Sequence, residues 1–290
     1  MLRERLITAV VLLLILAVLL ALEESVYFAI FCVVASGITL AEWWRISMDV
    51  RYQMAAYAVA AGLTLLAIYV TFQLPTGAAD SAPLTASLLF QLGFIFSAIS
   101  AFIWLVIVPF VLARAQTEHK AQSVFHSLFG LLTVAATALA LVFFVQYLGS
   151  WFVLSYFILI WCADSFAYFG GRYFGGPKLA PAISPGKTRS GALCGIAAAT
   201  IWLVLSAYVS PSSFGGILLQ QSNLFVVVLS ACVLSIYSIM GDLYESLMKR
   251  RAGLKDSSRI LPGHGGVWDR LDSALVVTPL TFLLIYLFQV

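Results

Sequence analysis

The chain has 290 residues, of which 62% are hydrophobic and only 10% are charged, with a net charge of +3. Its mean hydropathy is +1.01. These figures exclude a soluble globular domain, which carries roughly 25% charged residues, as well as a disordered chain and a secreted disulfide scaffold. The small net charge leaves no electrostatic footprint for nucleic acid.

Taken in chain order, apolar runs cover residues 6–22, 26–42, 53–73, 87–113, 125–147, 150–169, 191–209, 217–241 and 273–290. They are continuous rather than alternating, which predicts helices and not a transmembrane barrel. At roughly 20 residues per crossing, the expected fold is an all-α, polytopic integral membrane protein with about nine transmembrane helices. The first run follows Arg3 and Arg5 in the manner of a signal peptide. It has no small-residue cleavage site before Glu23 and Glu24, so it reads as a retained helix. Cys32, Cys162, Cys194 and Cys232 each sit alone in an apolar run and read as packing residues.

Nine spans put all 16 Lys and Arg on one side and leave Glu23, Glu24 and Asp80 on the other. The positive-inside rule then places the N-terminus and the charged loops in the cytoplasm, and the C-terminus outside, in a cell (cytoplasmic or inner) membrane. Residues 1–150, about five spans, read as scaffold, lipid-facing surface or oligomer contact. Residues 151–290, about four spans with two charged loops, are expected to hold the chemistry. Oligomeric state stays open, a homodimer included.

The sixth span carries Asp164 toward its cytoplasmic end, and an intramembrane carboxylate is costly enough to mark a functional position. In the loop that follows, Ser184-Pro185-Gly186-Lys187-Thr188 invites a P-loop reading. That motif needs Gly at position 181, where Pro181 stands, and a preceding strand, so Lys187 reads instead as a phosphate contact on a membrane-edge loop.

The last loop, residues 242–272, holds eleven of the chain's Lys, Arg, Asp and Glu residues. If the preceding helix continues past Met240, then Asp242, Glu245, Ser246 and Lys249 share one face. Pro262-Gly263-His264-Gly265-Gly266 is a tight, Gly-rich turn whose backbone N–H groups can approach an anion. Asp269, Arg270 and Asp272 close the loop. Carboxylates for Mg²⁺ beside Lys and Arg for phosphate oxygens form the recurring arrangement for phosphoryl or nucleotidyl transfer. The role of His264 stays open between phosphate contact, general base and turn-stabilising donor.

The run from Ser246 through Lys249-Arg250, Lys255-Asp256 and Pro262-Gly263-His264-Gly265-Gly266 to Asp269-Arg270 and Asp272 resembles the signature of the phosphatidate cytidylyltransferases, the CDP-diacylglycerol synthases. Asp164-Ser165 to Tyr168, and the Ser184 to Thr188 block, are similar to two further stretches of that family. The family usually has an acidic or amide residue where this chain has Ser190, which leaves a low-activity paralogue open. The resemblance implies that CTP and phosphatidate give CDP-diacylglycerol and pyrophosphate. Asp242 and Asp269 are then expected to hold Mg²⁺, with Asp164 or Asp256 at a second metal ion. Lys187, Lys249, Arg250, Lys255 and Arg270 are expected to neutralise phosphates, and Ser184, Thr188, Ser246, Gly265, Gly266 and Asp272 to contact substrate. A cytidylyltransferase for another lipid phosphate fits the same residues. A transporter fits poorly, because the sequence shows neither a repeat nor a charge near the bilayer midplane.

Overall fold

The structure is a computed structural model that describes residues 2–22, 25–73 and 84–288. The expected acidic positions Glu23, Glu24 and Asp80 lie outside the described residues. Helices α1 (Leu2–Ala21), α2 (Ser25–Ser47) and α3 (Gln53–Gln73) come first. A long rod follows, α4 (Leu84–Phe102), which passes through a π-helical turn into α5 (Val108–Arg114). Then come α6 (Val124–Phe143) and α7 (Ser150–Phe174).

Gly175 and Gly176, at φ 60° and 95°, end α7 in conformations that glycine adopts without steric cost. The next segment departs from the all-α expectation. Strands β1 (Lys178–Ala180) and β2 (Ser184–Thr188) form a small antiparallel hairpin, with Lys178 opposite Thr188. Pro181 and Pro185 both disfavour a helix here. Thr188 then caps α8 (Arg189–Val209), its hydroxyl accepting from the Gly191 N–H at 3.1 Å.

The apolar run expected at 217–241 is split. A short α9 (Phe214–Gln221) precedes α10 (Leu224–Arg251), because Asn223 caps a new helix by accepting from the Val226 N–H at 3.1 Å. Helix α10 continues well beyond Met240, so its last three turns carry the charged residues. A four-residue α11 (Trp268–Leu271) and the apolar α12 (Ala274–Phe288) complete the chain.

Among the described residues, seven helices are long and apolar enough to cross a membrane, with α12 and part of α1 as shorter apolar helices. The chain is therefore a polytopic helical membrane protein. In lipid, apolar burial does not by itself drive helices together, so close packing and interhelical hydrogen bonds must. Helices α7 and α8 meet through small residues: a side chain at Gly191 or Gly195 would collide with the Ala167 or Ala163 carbonyl. Elsewhere Trp43 of α2 stacks on Trp268 of α11 at 4.3 Å, and Trp104 and Tyr244 pack at 5.3 Å. The Trp43 indole N–H donates to the His126 carbonyl at 2.8 Å, so this buried donor is satisfied. This packing seats the loop between α10 and α12 on α2.

Candidate active site

A cleft of about 580 Å³ opens between α7, the hairpin and α10. Asp164, Arg172, Lys178, Ser184, Lys187 and Asp242 are among its lining residues. Lys187 Nζ meets Asp242 Oδ2 at 2.5 Å across it, joining the hairpin to α10. The Ser246 hydroxyl donates to Asp242 Oδ1 at 3.3 Å, one turn further along the same helix.

Three carboxylates converge here, that of Asp242 among them. Asp242, Glu245 and Asp272 each bring one oxygen to within 4.8 Å of the others. Helix periodicity puts Asp242 and Glu245 on one face of α10, and the start of α12 brings Asp272 against it. Glu245 Oε1 is buried with no hydrogen-bond partner among the described residues. A buried orphan acceptor inside a carboxylate cluster suits a hard divalent cation, so the donor set fits Mg²⁺. Burial and the neighbouring charges of Asp242 and Asp164 push the Asp272 carboxyl well above its ordinary range.

A second network stands next to the first. Lys249 Nζ lies 2.7 Å from Glu245 Oε2 and 2.5 Å from Asp269 Oδ1. The other oxygen of Asp269 accepts from the Ser257 N–H at 2.9 Å, the Ser257 hydroxyl at 2.8 Å and the Gly266 N–H at 2.7 Å. Burial alone would raise the Asp269 carboxyl. The Lys249 ammonium and the Gly266 N–H outweigh it and hold the group well below the usual carboxylate range. Both oxygens of Asp269 are thus engaged by the protein itself.

The remaining residues that the sequence singles out are spread around this centre. His264 sits in the turn closed by Leu261 and Gly265, its carbonyl accepting from Arg270 at 3.0 Å. Its ring Nδ1 is buried without a partner among the described residues. Arg250 points back to the hairpin, with Nε 3.5 Å from the Ile183 carbonyl. Thr188 is the buried cap of α8. Lys255 and Asp256 are exposed and stand outside the two networks.

A family model described as the cytidylyltransferase family matches residues 3–288. The chain belongs to this family. Within it, the chain is 37% identical over 180 residues to the phosphatidate cytidylyltransferase of Haemophilus influenzae, covering 61% of this chain and 54% of that protein. It is 47% identical over 129 residues to the one of Brucella abortus, 44% of each chain. To the one of Rickettsia bellii it is 36% identical over 162 residues, 56% of this chain and 69% of that protein. The aligned stretch thus spans about half the length of the first two relatives. The family resemblance read from the charged motifs is borne out.

Within the family pattern, Ser190 has a local role here: its hydroxyl bonds the Gly175 carbonyl and lies 3.1 Å from the Thr188 hydroxyl, tying the end of α7 to the start of α8. Sequence reasoning left Glu245 outside the expected site residues, although its spacing from Asp242 placed it on the charged face. It also passed over Glu42, Arg172, Lys178 and Ser257. Glu42 had a usable signal, a carboxylate at the end of an apolar run. Ser257 had none, because its importance lies only in what it touches.

Proposed function

We propose that this chain is a phosphatidate cytidylyltransferase. The phosphatidate phosphate oxygen attacks the α-phosphorus of CTP, a new P–O bond forms, and the bond to the bridging oxygen breaks to release pyrophosphate. The observation that carries the reading is the pairing, at one helix end, of a three-carboxylate cluster with Lys187 and Lys249. One substrate is a water-soluble polyanion and the other a lipid whose phosphate lies at headgroup level. Only a site at the membrane boundary serves both. In this reading the charged loops face the cytoplasm, and α1 and α12 join the seven longer helices to make nine spans in the inner membrane.

Asp242, Glu245 and Asp272 would hold Mg²⁺, which when bound neutralises charge on the nucleotide phosphates. Asp164 faces the same cleft and is the candidate for a second ion. Lys187 exchanges its partner Asp242 for a phosphate oxygen when the nucleotide enters. Lys249 is held by Glu245 and Asp269 so that its charge stays at the cluster's edge. Phosphate monoesters are largely ionised near neutral pH, so attack requires no strong base. Positioning and charge neutralisation then supply most of the acceleration.

The test is to incubate purified protein with labelled CTP, Mg²⁺ and phosphatidate. A lipid-soluble cytidine product with an equal amount of pyrophosphate is expected. Turnover confined to another lipid phosphate would replace the acceptor, and no cytidine lipid from any lipid phosphate would overturn the reading.

A further inference from the structure

Glu42 lies on α2, far in sequence from every charged motif, and is only 3% exposed. Among the described residues no Lys or Arg pairs with it. Four donors from the loop between α10 and α12 converge on its two oxygens instead. They are the Ser257 hydroxyl at 3.0 Å, the Ser258 hydroxyl at 2.5 Å, the Val267 N–H at 3.1 Å and the Trp268 N–H at 2.7 Å. A carboxylate offers about four acceptor positions, so the loop saturates this one. The two backbone donors open α11, where unpaired N–H groups need an acceptor.

The Ser257 hydroxyl is also 2.8 Å from Asp269, and it has one proton to share between the two carboxylates. The chain of contacts runs from Glu42 through Ser257 to Asp269 and on to Lys249 and Glu245. Gly266 closes the arrangement: any side chain there would strike the Ser257 hydroxyl and the Glu42 carboxylate. The neighbouring Trp43 stacks on Trp268 at 4.3 Å, which fixes α2 against the same loop.

We infer that Glu42 is a positioning residue for the active-site loop, acting through Ser257 and the 267–268 backbone to set Asp269 and, through it, Lys249. For its effect on turnover the inference rests on the cytidylyltransferase reading, but its structural half does not. Glu42 is buried beneath the loop and is not among the residues that line the cleft. It fixes where the cationic and anionic groups stand before substrate arrives, and a misplacement near 1 Å costs roughly 100-fold in rate.

The experiment uses the full-length protein in detergent. Glu42→Gln keeps the side chain's shape but turns one acceptor into a donor facing donors. Amide hydrogen exchange should rise in residues 255–268 and stay unchanged in the spans, while kcat falls roughly 10- to 100-fold and KM for phosphatidate holds within about threefold. Ser257→Ala removes the bridge without touching α2, and should reproduce the local loosening and the kcat loss. The double variant should lose little beyond the worse single one, since both act along one path. Exchange and turnover like the unaltered protein in either variant would overturn the inference. Loosening spread over all spans in both would also overturn it, by making Glu42 a residue of the fold at large. If the unaltered protein makes no cytidine lipid while the exchange rise stays confined to 255–268, the loop-positioning role stands and the reaction assignment falls.

Discussion

Lys187 at the end of the hairpin and Asp242 on α10 meet at 2.5 Å, and neither is fully buried. The pair joins two motifs that lie on opposite sides of α8 in the sequence. It holds the cleft's cation and anion together, and in the proposed reaction the nucleotide phosphates compete for the lysine. Lys187→Ala should therefore lower turnover by about 100- to 1000-fold while the protein still purifies as a folded membrane protein. Cytidine-lipid formation by the purified variant at near-normal rate would remove Lys187 from the site.

The carboxylate cluster makes a prediction about metal. EDTA should abolish cytidine transfer and Mg²⁺ should restore it. Glu245→Gln and Asp272→Asn should each raise the Mg²⁺ concentration for half-maximal rate by about tenfold or more, as expected when a ligand is lost. A Mg²⁺ titration identical to that of the unaltered protein would move the ion elsewhere, with Asp164 and Asp269 the next candidates.

Asp272 links the same cluster to pH. Its carboxyl is raised in the folded protein above the ordinary value of 3.8. Such a group favours the fold fully below that ordinary value, and the contribution is lost as pH climbs through the raised one. In EDTA, thermal stability should fall as pH rises from about 4 upward, and the fall should shrink in Asp272→Asn. Added Mg²⁺ should protect more at higher pH, because its ligands must be deprotonated. Asp269 works in the opposite sense: its carboxyl is depressed, so its contribution is present above the ordinary carboxylate value and is lost progressively as pH falls from there through the depressed one. A slope unchanged by Asp272→Asn would count against this account.

Gly266 and Gly62 form a matched pair. A methyl group at Gly266 runs into Ser257 and Glu42, whereas nothing lies within 4 Å of one at Gly62. Gly266→Ala should cost about 1–3 kcal/mol of loop or protein stability and most of the activity. Gly62→Ala should stay within about twofold of the unaltered rate, as an open helix position favours alanine over glycine. Equal activity in the two variants would show that the loop is looser than the contacts imply.

Much of the architecture was legible in the chain order. Continuous apolar runs announced the spans, and helix periodicity alone groups Asp242, Glu245, Ser246 and Lys249 on one face of α10. The hairpin was not legible, since three residues opposite five leave almost no period to read. The division of the 217–241 run turned on one capping residue, Asn223, inside an otherwise apolar stretch. The carboxylate trio was half visible: Asp242 and Glu245 are neighbours in the helix, but Asp272 reaches them only because α12 packs back against α10.

The sequence by itself determined that this is a polytopic helical membrane protein of the cytidylyltransferase pattern. Composition limits what can leave water, and the charged motifs carry the family pattern. Only the tertiary structure decided which of those charges face one another. It drew Asp269 into the loop's own hydrogen bonds, set Asp272 beside Asp242 and Glu245, and brought Glu42 from a stretch expected to be mere scaffold to the base of the loop between α10 and α12. The physical reason is that a buried carboxylate must find donors wherever the fold supplies them, and the donors of Glu42 lie more than two hundred residues further along the chain.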